Sequence, residues 1–240
     1  AAANGWDAKF LSSSLDLATF DGNLAGYPTS IAMIGMFYRK DIMVDELGLA
    51  EPTTFEEFET VCETLKANGY TPMVLAGKAG WHVVRFVEAL IEMYAGAEER
   101  DKIYALESSW NSESIVQAFT KFKEFVDKGY LPEGFITIEG SDARTLVYSG
   151  DAIMDPEGPW MESNIFNDDQ DPALFDYFKI PGAGRMSGFI EMIQFKKGLS
   201  DDKLEAGMKF ADYLYSPEAV AKYGKLLKQP IPRLDNTLPD

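Results

Sequence analysis

The sequence predicts an α/β fold, because short apolar runs alternate with amphipathic helical stretches along most of the chain. Residues 31–38 and residues 152–154 are continuously apolar, which is typical of strands buried on both faces. With 240 residues, 46% of them hydrophobic, the chain is long enough for one large or two small cores. The alternation of strands and helices also predicts that much of the sheet is parallel.

The composition excludes several classes of partner. Lys and Arg number 22 against 39 Asp and Glu, which gives a net charge of −17, and no basic cluster is present that would bind nucleic acid or an anionic membrane. The single cysteine, Cys62, permits neither an intrachain disulfide nor a Cys-based metal site. The longest apolar run, residues 31–37, is far shorter than the roughly 20 residues that span a bilayer. No signal peptide precedes Ala1, so we expect either an intracellular protein or a chain without its leader.

The first elements are a turn, a strand and a well-marked helix. Asp21-Gly22-Asn23 is a turn signal, and the strand at residues 31–38 is followed by a helical turn that ends at Gly48. Thr54-Phe55-Glu56-Glu57 is a capping box, in which the Thr hydroxyl and the Glu carboxylate each accept a hydrogen bond from an exposed backbone N–H. The apolar spacing that follows predicts a helix that ends at Gly69, with the Cys thiol on its packed face.

A second strand leads to a loop that carries aromatic residues. Residues 71–76 read as a strand, and the loop at residues 77–80 presents Trp81 and His82 at the start of an amphipathic helix. That loop lacks the glycine spacing and the Lys-Ser/Thr pair of a phosphate-binding loop. The next helices are predicted from Ser112 to Gly129 and over residues 141–149.

The stretch from Ala152 to Trp160 organises the rest of the chain. We predict that the strand at residues 152–154 is stopped by Asp155-Pro156, and that a turn at Gly158-Pro159 then presents Trp160. A tryptophan at such a place suits a stacking platform for a ligand. A ring that fills the core beneath the turn is the alternative, and local sequence leaves both interpretations open.

The last third continues the same alternation. Residues 177–181 and 189–195 read as extended runs, and helices are predicted over residues 201–215 and from Ser216-Pro217-Glu218 to Leu227. The glycine-rich loop at residues 182–188 misses the dinucleotide-binding spacing by one residue and leads into a strand. A Rossmann site is therefore excluded.

The sequence offers little machinery for catalysis, so we predict a protein that is not an enzyme and has neither metal nor cofactor. His82 is the only histidine, no Gly-x-Ser-x-Gly elbow accompanies it, and no spacing supports a metal site around it. Residues 167–171 lack the central Gly and terminal Glu of a calcium loop. Glu157 and Glu191 could form a glycosidase pair, which remains an alternative.

Aromatic residues follow several of the predicted strands. Tyr38, Trp81, Trp160 and Phe189 all come where strands end, and ligands of open α/β sheets bind beyond the carboxyl ends of strands. Ring faces stack against the C–H faces of sugars, while neighbouring polar groups bind the hydroxyls. The pattern therefore favours a sugar-binding site.

Several blocks, in order along the chain, resemble the extracellular solute-binding proteins (family 1) of ABC sugar transporters, the maltose-binding protein group. The resemblance covers nearly the whole chain and is also carried by the helix before Ser216-Pro217-Glu218. The other blocks are Asp21-Gly22-x-x-x-Gly26-Tyr27-Pro28, Tyr38-Arg39-Lys40-Asp41, Leu47-Gly48-Leu49-x-x-Pro52-Thr53-Thr54-Phe55-Glu56-Glu57-Phe58, Gly150-Asp151-Ala152-Ile153-Met154 and Gly158-Pro159-Trp160.

The resemblance implies a type II periplasmic-binding fold, with two lobes that close on a ligand by hinge bending. It implies that residues 1–29 are the tail of the first lobe, residues 30–185 the second lobe, and residues 186–240 the return to the first. It further implies that the chain is truncated at both ends, that its first lobe is incomplete, and that it binds ligand weakly or not at all in this form.

The resemblance also implies roles for individual residues. Trp81 falls where the family has an aromatic at the cleft, Trp160 matches the sugar-stacking tryptophan, and Gly188 and Phe189 fall at the returning hinge. Ala32 replaces an acid of some maltodextrin binders, and Arg39 replaces a usual Asn, so the exact sugar is not transferred. The predicted ligand-binding residues are Trp160, Trp81, Phe189, Gly188, Glu191, Tyr38 and His82.

The function implied is non-catalytic capture of a sugar or oligosaccharide and its delivery to an ABC permease. The place implied is outside the cell or in the periplasm, where the full-length protein is held at the membrane by a lipid anchor missing from this chain, without direct insertion. A non-sugar solute, such as an amino acid or an osmolyte, on the same scaffold is an alternative, and a glycoside hydrolase is a further one.

Overall fold

A computed structural model describes residues 5–227, 233 and 234, and it has the predicted α/β architecture. Two compact units are present, one of Ala1–Met33, Glu162–Asn164 and Gly188–Asp240, the other of Ile34–Met161 and Ile165–Ser187. The interpretation of chain segments as lobes with hinge strands stays a prediction. Within the described residues, none of the helices combines the length and the apolar character that a bilayer crossing requires.

The strands and helices follow the predicted order. The strands are β1 (Thr19–Phe20), β2 (Asn23–Leu24), β3 (Tyr27–Arg39), β4 (Thr71–Met73), β5 (Ala152–Glu157), β6 (Phe175–Phe178) and β7 (Ser187–Ile193). The helices are α1 (Ser12–Leu17), a π-helical segment (Asp41–Glu46), α2 (Phe55–Ala67), α3 (Trp81–Tyr104), α4 (Glu113–Asp127), α5 (Gly140–Ser149), α6 (Trp160–Asn167), α7 (Asp201–Leu214) and α8 (Pro217–Leu227), besides short 3-10 turns.

The main sheet has the strand order β4-β5-β3-β6, and β7 also pairs with β3. Strands β4 and β5 are parallel, whereas β3 runs antiparallel to both β5 and β6. The expectation of a largely parallel sheet is therefore wrong for these ladders. Alternation along the chain gives the element types, but strand direction depends on which strands become neighbours, and β3 lies between two later strands.

Strand β5 is longer than predicted. Asp155 and Pro156 do not stop it, because Pro156 pairs with Met36 and the strand continues to Glu157. The partner β4 ends at Met73, opposite Met154, so Pro156 lies beyond that neighbour. A proline, which has no N–H to donate, is tolerated where a strand has a partner on one side only.

The predicted turn and the predicted capping box are both present. Asp21 and Gly22 have φ angles of 50° and 73°, the left-handed pair that joins β1 and β2 in a tight hairpin. At α2 the Glu57 N–H donates to Thr54 Oγ1 at 3.2 Å, and the Thr54 N–H donates to Glu57 Oε2 at 3.2 Å. These two backbone N–H groups, which have no partner within the helix, are thereby satisfied where the helix begins.

The larger core lies between the sheet and helices α2, α3 and α4. Phe58 stacks on Phe125 at 5.9 Å, and Phe86 packs against both rings. Cys62 is fully buried among them, and burial raises the pKa of its thiol, so it is the packed residue that the helix pattern predicts. A separate core in the first unit is built on Trp6, Phe10 and Tyr27, whose rings meet edge to face.

Candidate functional site

Three ionisable side chains meet where β5 ends and α3 begins. Asp155 and Glu157 are two residues apart on β5, so the alternation of a strand directs both to one face. His82, in the first turn of α3, lies between them. All three side chains are at most 1% exposed. We call Asp155, His82 and Glu157 the buried triad.

The imidazole of His82 bridges the two carboxyl groups. Its Nδ1 lies 3.1 Å from Asp155 Oδ1, a hydrogen bond, and its Nε2 lies 3.6 Å from Glu157 Oε1. Among the described residues, His82 Nε2 and Asp155 Oδ2 are buried without a hydrogen-bond partner. A buried polar atom without a partner is costly, so the protonation state of the triad decides how well the group is satisfied.

The environment favours retention of protons in the triad. Burial raises the pKa of Glu157 to about 7, and the neighbouring Asp155 charge acts in the same direction. Burial also raises the pKa of Asp155, against the opposing effects of His82 and Arg144. For His82 burial opposes the charged form, but the Asp155 hydrogen bond and both carboxylates outweigh it, so its pKa is raised.

Glu157 connects the triad to Trp160. The indole Nε1–H of Trp160 donates to Glu157 Oε2, and the backbone N–H of Gly158 donates to the same oxygen at 3.3 Å. A Cβ at position 158 would overlap the Trp160 ring, so the ring lies directly over the glycine backbone. The predicted Gly-Pro turn therefore does present Trp160, and its glycine leaves room for the indole.

A second tryptophan lies against this group. The Trp81 ring is 5.5 Å from the Trp160 ring at an interplanar angle of 73°, an edge-to-face pair, and its centroid is 3.8 Å from that of His82. Both tryptophan side chains are only partly buried, in contrast to the triad beneath them. The arrangement is a pair of aromatic rings at the surface, fixed by a buried polar group.

The triad has the donor types of a metal site, but its imidazole lies between two carboxyl groups, hydrogen-bonded to Asp155 and 3.6 Å from Glu157. Its possible ligand atoms lie within 4.8 Å of one another. Ligands of one zinc ion, at bond lengths near 2.0–2.2 Å, would lie about 3 to 3.5 Å apart. Here the two ring nitrogens face different carboxylates, so one ion cannot replace both contacts.

Two of the predicted ligand-binding residues are buried in this structure. Tyr38 is 1% exposed in the larger core, and its hydroxyl donates to Glu51 at 2.7 Å, so its ring is a packing residue. His82 has no exposed surface and contacts Asp155 and Glu157, so it supports the tryptophans. The role of Tyr38 and His82 in ligand binding stays a prediction. When every residue of a strand is apolar, the sequence does not show whether the last one, here Tyr38, points into the core or towards a ligand.

The three residues predicted on the returning strand lie in the first unit. Glu191, on β7, is exposed and accepts a hydrogen bond from Ser30 Oγ at 2.7 Å. Gly188 is close to β3, since a Cβ there would lie 2.6 Å from the Ala32 carbonyl oxygen. Phe189 is partly buried on the same strand. Their role in binding stays a prediction.

The glycosidase alternative finds no support at Glu157. Its raised pKa would suit a general acid. However, its side chain is 1% exposed, one oxygen accepts from Trp160 and Gly158, and the other faces His82. A buried carboxyl whose one oxygen is hydrogen-bonded to Trp160 and Gly158 and whose other oxygen faces His82 is not placed to protonate a glycosidic oxygen.

A cleft in the first unit also combines an aromatic residue with acids. It has a volume of about 450 Å³ and is lined by Trp6 together with Asp201, Glu205 and Asp212. Trp6 is only 6% exposed, and its ring packs edge to face on Phe10 and Tyr27. Because that ring belongs to the core, the cleft provides a weaker stacking surface than Trp81 and Trp160.

Comparison with known proteins identifies the family. The sequence matches the family of bacterial extracellular solute-binding proteins over residues 3–238. The chain belongs to this family. The resemblance found in the sequence blocks is thereby confirmed.

Several curated relatives of this solute-binding protein have sugar-binding names. It is 25% identical over 205 residues to the multiple sugar-binding protein of Streptococcus mutans, which covers 82% of this chain and 48% of the relative. It is 22% identical over 220 residues to a probable sugar-binding periplasmic protein of Brucella suis, with 90% and 51% covered. The chain spans about half the length of the curated relatives it matches.

Solved structures confirm the predicted periplasmic-binding-protein-like fold. A chitin oligosaccharide binding protein superimposes with a TM-score of 0.87 at 24% identity, over 99% of this chain and 60% of that one. A maltose-bound protein of T. maritima, MalE3, gives a TM-score of 0.79 at 21% identity, over 97% of this chain and 60% of that one. Identities this low establish the fold and leave the ligand to be argued from the site.

Proposed function

We propose that this solute-binding protein captures a sugar or oligosaccharide without chemical change and delivers it to an ABC permease. The observation that carries the proposal is the pair of partly exposed tryptophans, Trp81 and Trp160, held edge to face at 5.5 Å where β5 ends. Sugar-binding names among the relatives support the same ligand class. We also propose an extracellular or periplasmic location, with the full-length protein tethered at the membrane.

Binding would depend on ring stacking and on an immobile indole. A sugar's C–H face packs on an aromatic face, and the affinity gained is larger when the ring is already fixed before the ligand arrives. Trp160 is fixed at its polar edge by Glu157 and beneath its ring by Gly158. In this proposal Phe189, Gly188 and Glu191 provide further contacts from the returning strand.

The proposed cycle is capture by hinge closure followed by release to the permease. Residues 1–29 and 186–240 would belong to one lobe and residues 30–185 to the other, joined by hinge strands. No covalent step is included, which agrees with the burial of the Glu157 carboxyl. The acids of the site would serve to position groups.

Isothermal titration of the complete natural protein that contains this sequence tests the proposal. The probes are triacetylchitotriose, maltose and raffinose, with glycine betaine and an amino acid mixture as non-sugar solutes. We expect saturable binding of at least one sugar, weakened in Trp160→Ala. Tight binding of a non-sugar solute, with no heat from any sugar, would overturn the sugar assignment.

A matched control separates stacking from general damage. Trp110 is partly exposed and stacks on Tyr104, away from the triad in its contacts. Trp110→Ala removes an indole that is more exposed than that of Trp160, and we expect sugar affinity to survive it. Equal loss of affinity in the Trp110 and Trp160 variants would show that the Trp160 site is not the one that binds.

A further inference from the structure

Neither ligand stacking nor transport requires three buried ionisable groups such as those of the triad. We propose that Asp155, His82 and Glu157 form a proton-holding relay that positions the Trp160 indole, through one proton held between His82 Nε2 and Glu157 Oε1. The relay deepens the proposed function and rests on it only where sugar affinity is concerned. The three residues are positioning residues, because they act on a ligand through Trp160.

The side chains of the triad contact one another in succession and end at the Trp160 indole. Asp155 Oδ1 faces His82 Nδ1 at 3.1 Å, so the hydrogen on that nitrogen is directed to Asp155. The other ring nitrogen, Nε2, is then directed at Glu157 Oε1, 3.6 Å away. The second oxygen of Glu157 accepts from the Trp160 indole. Each group orients the next, from Asp155 to the indole.

Loss of the proton between His82 and Glu157 would leave two buried hydrogen-bond acceptors facing each other. If His82 Nε2 and Glu157 Oε1 are both deprotonated, two acceptors face each other in a site where all three side chains are at most 1% exposed. Within the described part of the chain, Nε2 has no other partner to turn to. Such a repulsive contact between buried acceptors is unfavourable, so the proton is required to keep Glu157 in place.

A positively charged side chain, that of Arg144, also acts on the relay. Arg144 of α5 is the other charged group that acts on His82 and Asp155, and it favours ionised Asp155 over charged His82. Burial outweighs this effect on Asp155, whose pKa is raised, so the relay as a whole retains protons, and Glu157 is its member in contact with the Trp160 indole. The pKa of Glu157, raised to about 7, places loss of the proton between His82 and Glu157 close to neutral pH.

The consequence is a tryptophan whose hydrogen bond to Glu157 differs in strength below and above neutral pH, because an ionised carboxylate accepts more strongly than a neutral carboxyl group. With the proton present, Glu157 bridges His82 and the Trp160 N–H. Once this proton is lost, the Glu157 carboxylate is free to turn away from His82. The hydrogen bond between Glu157 and the Trp160 indole then changes as well. Sugar affinity should then change as the pH rises through about 7, because the degree to which the platform is fixed before binding changes.

The indole N–H signal of Trp160 in a ¹H–¹⁵N spectrum reads the relay directly, with no ligand added. Its assignment comes from the signal missing in Trp160→Phe. Between pH 5.5 and 9 we expect the wild-type signal to shift with a midpoint near 7. In Glu157→Gln, whose amide oxygen still accepts from the indole but cannot ionise, the midpoint should disappear.

Matched variants make the result decisive. Glu162→Gln removes an exposed carboxylate from α6, the helix that begins with Trp160, and should titrate like the wild type. If Glu157→Gln does not fold, His82→Gln serves instead, since it removes the proton site while leaving Glu157 present. A wild-type signal without a midpoint, or an unchanged midpoint in the folded relay variant, overturns the proposal.

Two further arms separate the alternatives. Zn²⁺ added to chelator-treated protein should leave the Trp160 signal unmoved, and a one-to-one displacement by Zn²⁺ would overturn the proton relay in favour of a metal. Titrations with triacetylchitotriose, maltose and raffinose at pH 6 and 8.5 test the link to affinity. We expect a severalfold difference in affinity between the two pH values in the wild type and no change in Glu157→Gln.

The outcomes distinguish the relay from the sugar site. If Trp160→Ala leaves sugar binding intact while the indole titrates as expected, the proposed site fails and the relay stands. If sugar binding needs Trp160 but is equally tight at both pH values, the relay's link to affinity fails and the proposed function stands.

Discussion

Replacement of Glu157 by Gln should remove a pH dependence from the stability of the folded protein. Burial raises the pKa of Glu157 from its ordinary value of 4.5 to about 7. A carboxyl group whose pKa is raised by folding stabilises the folded state fully below about pH 4.5, and that contribution is lost as the pH rises through about 7. The free energy of unfolding of the wild type should therefore fall between pH 5 and pH 8.

The size of the fall follows from the pKa difference. One pKa unit corresponds to about 1.4 kcal/mol, so the raised pKa of Glu157 accounts for up to about 3 kcal/mol across the whole range. His82 changes stability in the same direction, because its pKa is raised too. It is the only histidine of the chain, so few other groups titrate between pH 5 and 8.

Urea denaturation at pH 5 and pH 8 measures the effect, with Glu162→Gln as the exposed control. The wild type and Glu162→Gln should both lose stability on going to pH 8, whereas Glu157→Gln should lose much less. Wild-type stability that is equal or greater at pH 8, or an undiminished fall in Glu157→Gln, would refute the reasoning.

Three other predictions concern single side chains. Trp160→Ala should cost on the order of 1–3 kcal/mol of sugar affinity by isothermal titration; a lower melting temperature with intact affinity would instead make the ring a core residue. Gly158→Ala should displace the indole and cost about 1–3 kcal/mol of stability, measured by thermal unfolding, because its Cβ would overlap the Trp160 ring; an unchanged melting temperature would contradict this. Cys62 should react with a thiol reagent only after denaturation, and rapid labelling of the native protein would show that its burial is incomplete.

Local signals predicted the elements that depend on local chemistry. The Thr54–Glu57 capping box and the Asp21-Gly22 turn are both present, because each is decided by neighbouring residues. The buried strand at residues 31–38 is the centre of β3. Strand direction and the extension of β5 through Pro156 were not predictable in this way, since both depend on which strand lies alongside.

The site was predicted in part for the same reason. Trp160 and Trp81 follow strands or turns, so their position was readable from the sequence. Their support was not, because His82 and Asp155 are 73 residues apart and meet only in the fold. One signal was available: two acids at alternate positions of a buried strand, Asp155 and Glu157, need a partner, and the chain has one histidine.

The close contact between Gly158 and the Trp160 ring has a consequence for how this sequence can change over evolutionary time. Because a side chain at position 158 and an indole at position 160 compete for the same space, position 158 cannot gain a side chain while the tryptophan is kept. Lineages that keep the tryptophan should retain glycine two residues earlier. Those that adopt a small residue at position 160 should become free to vary at 158, so the two positions should covary among homologues.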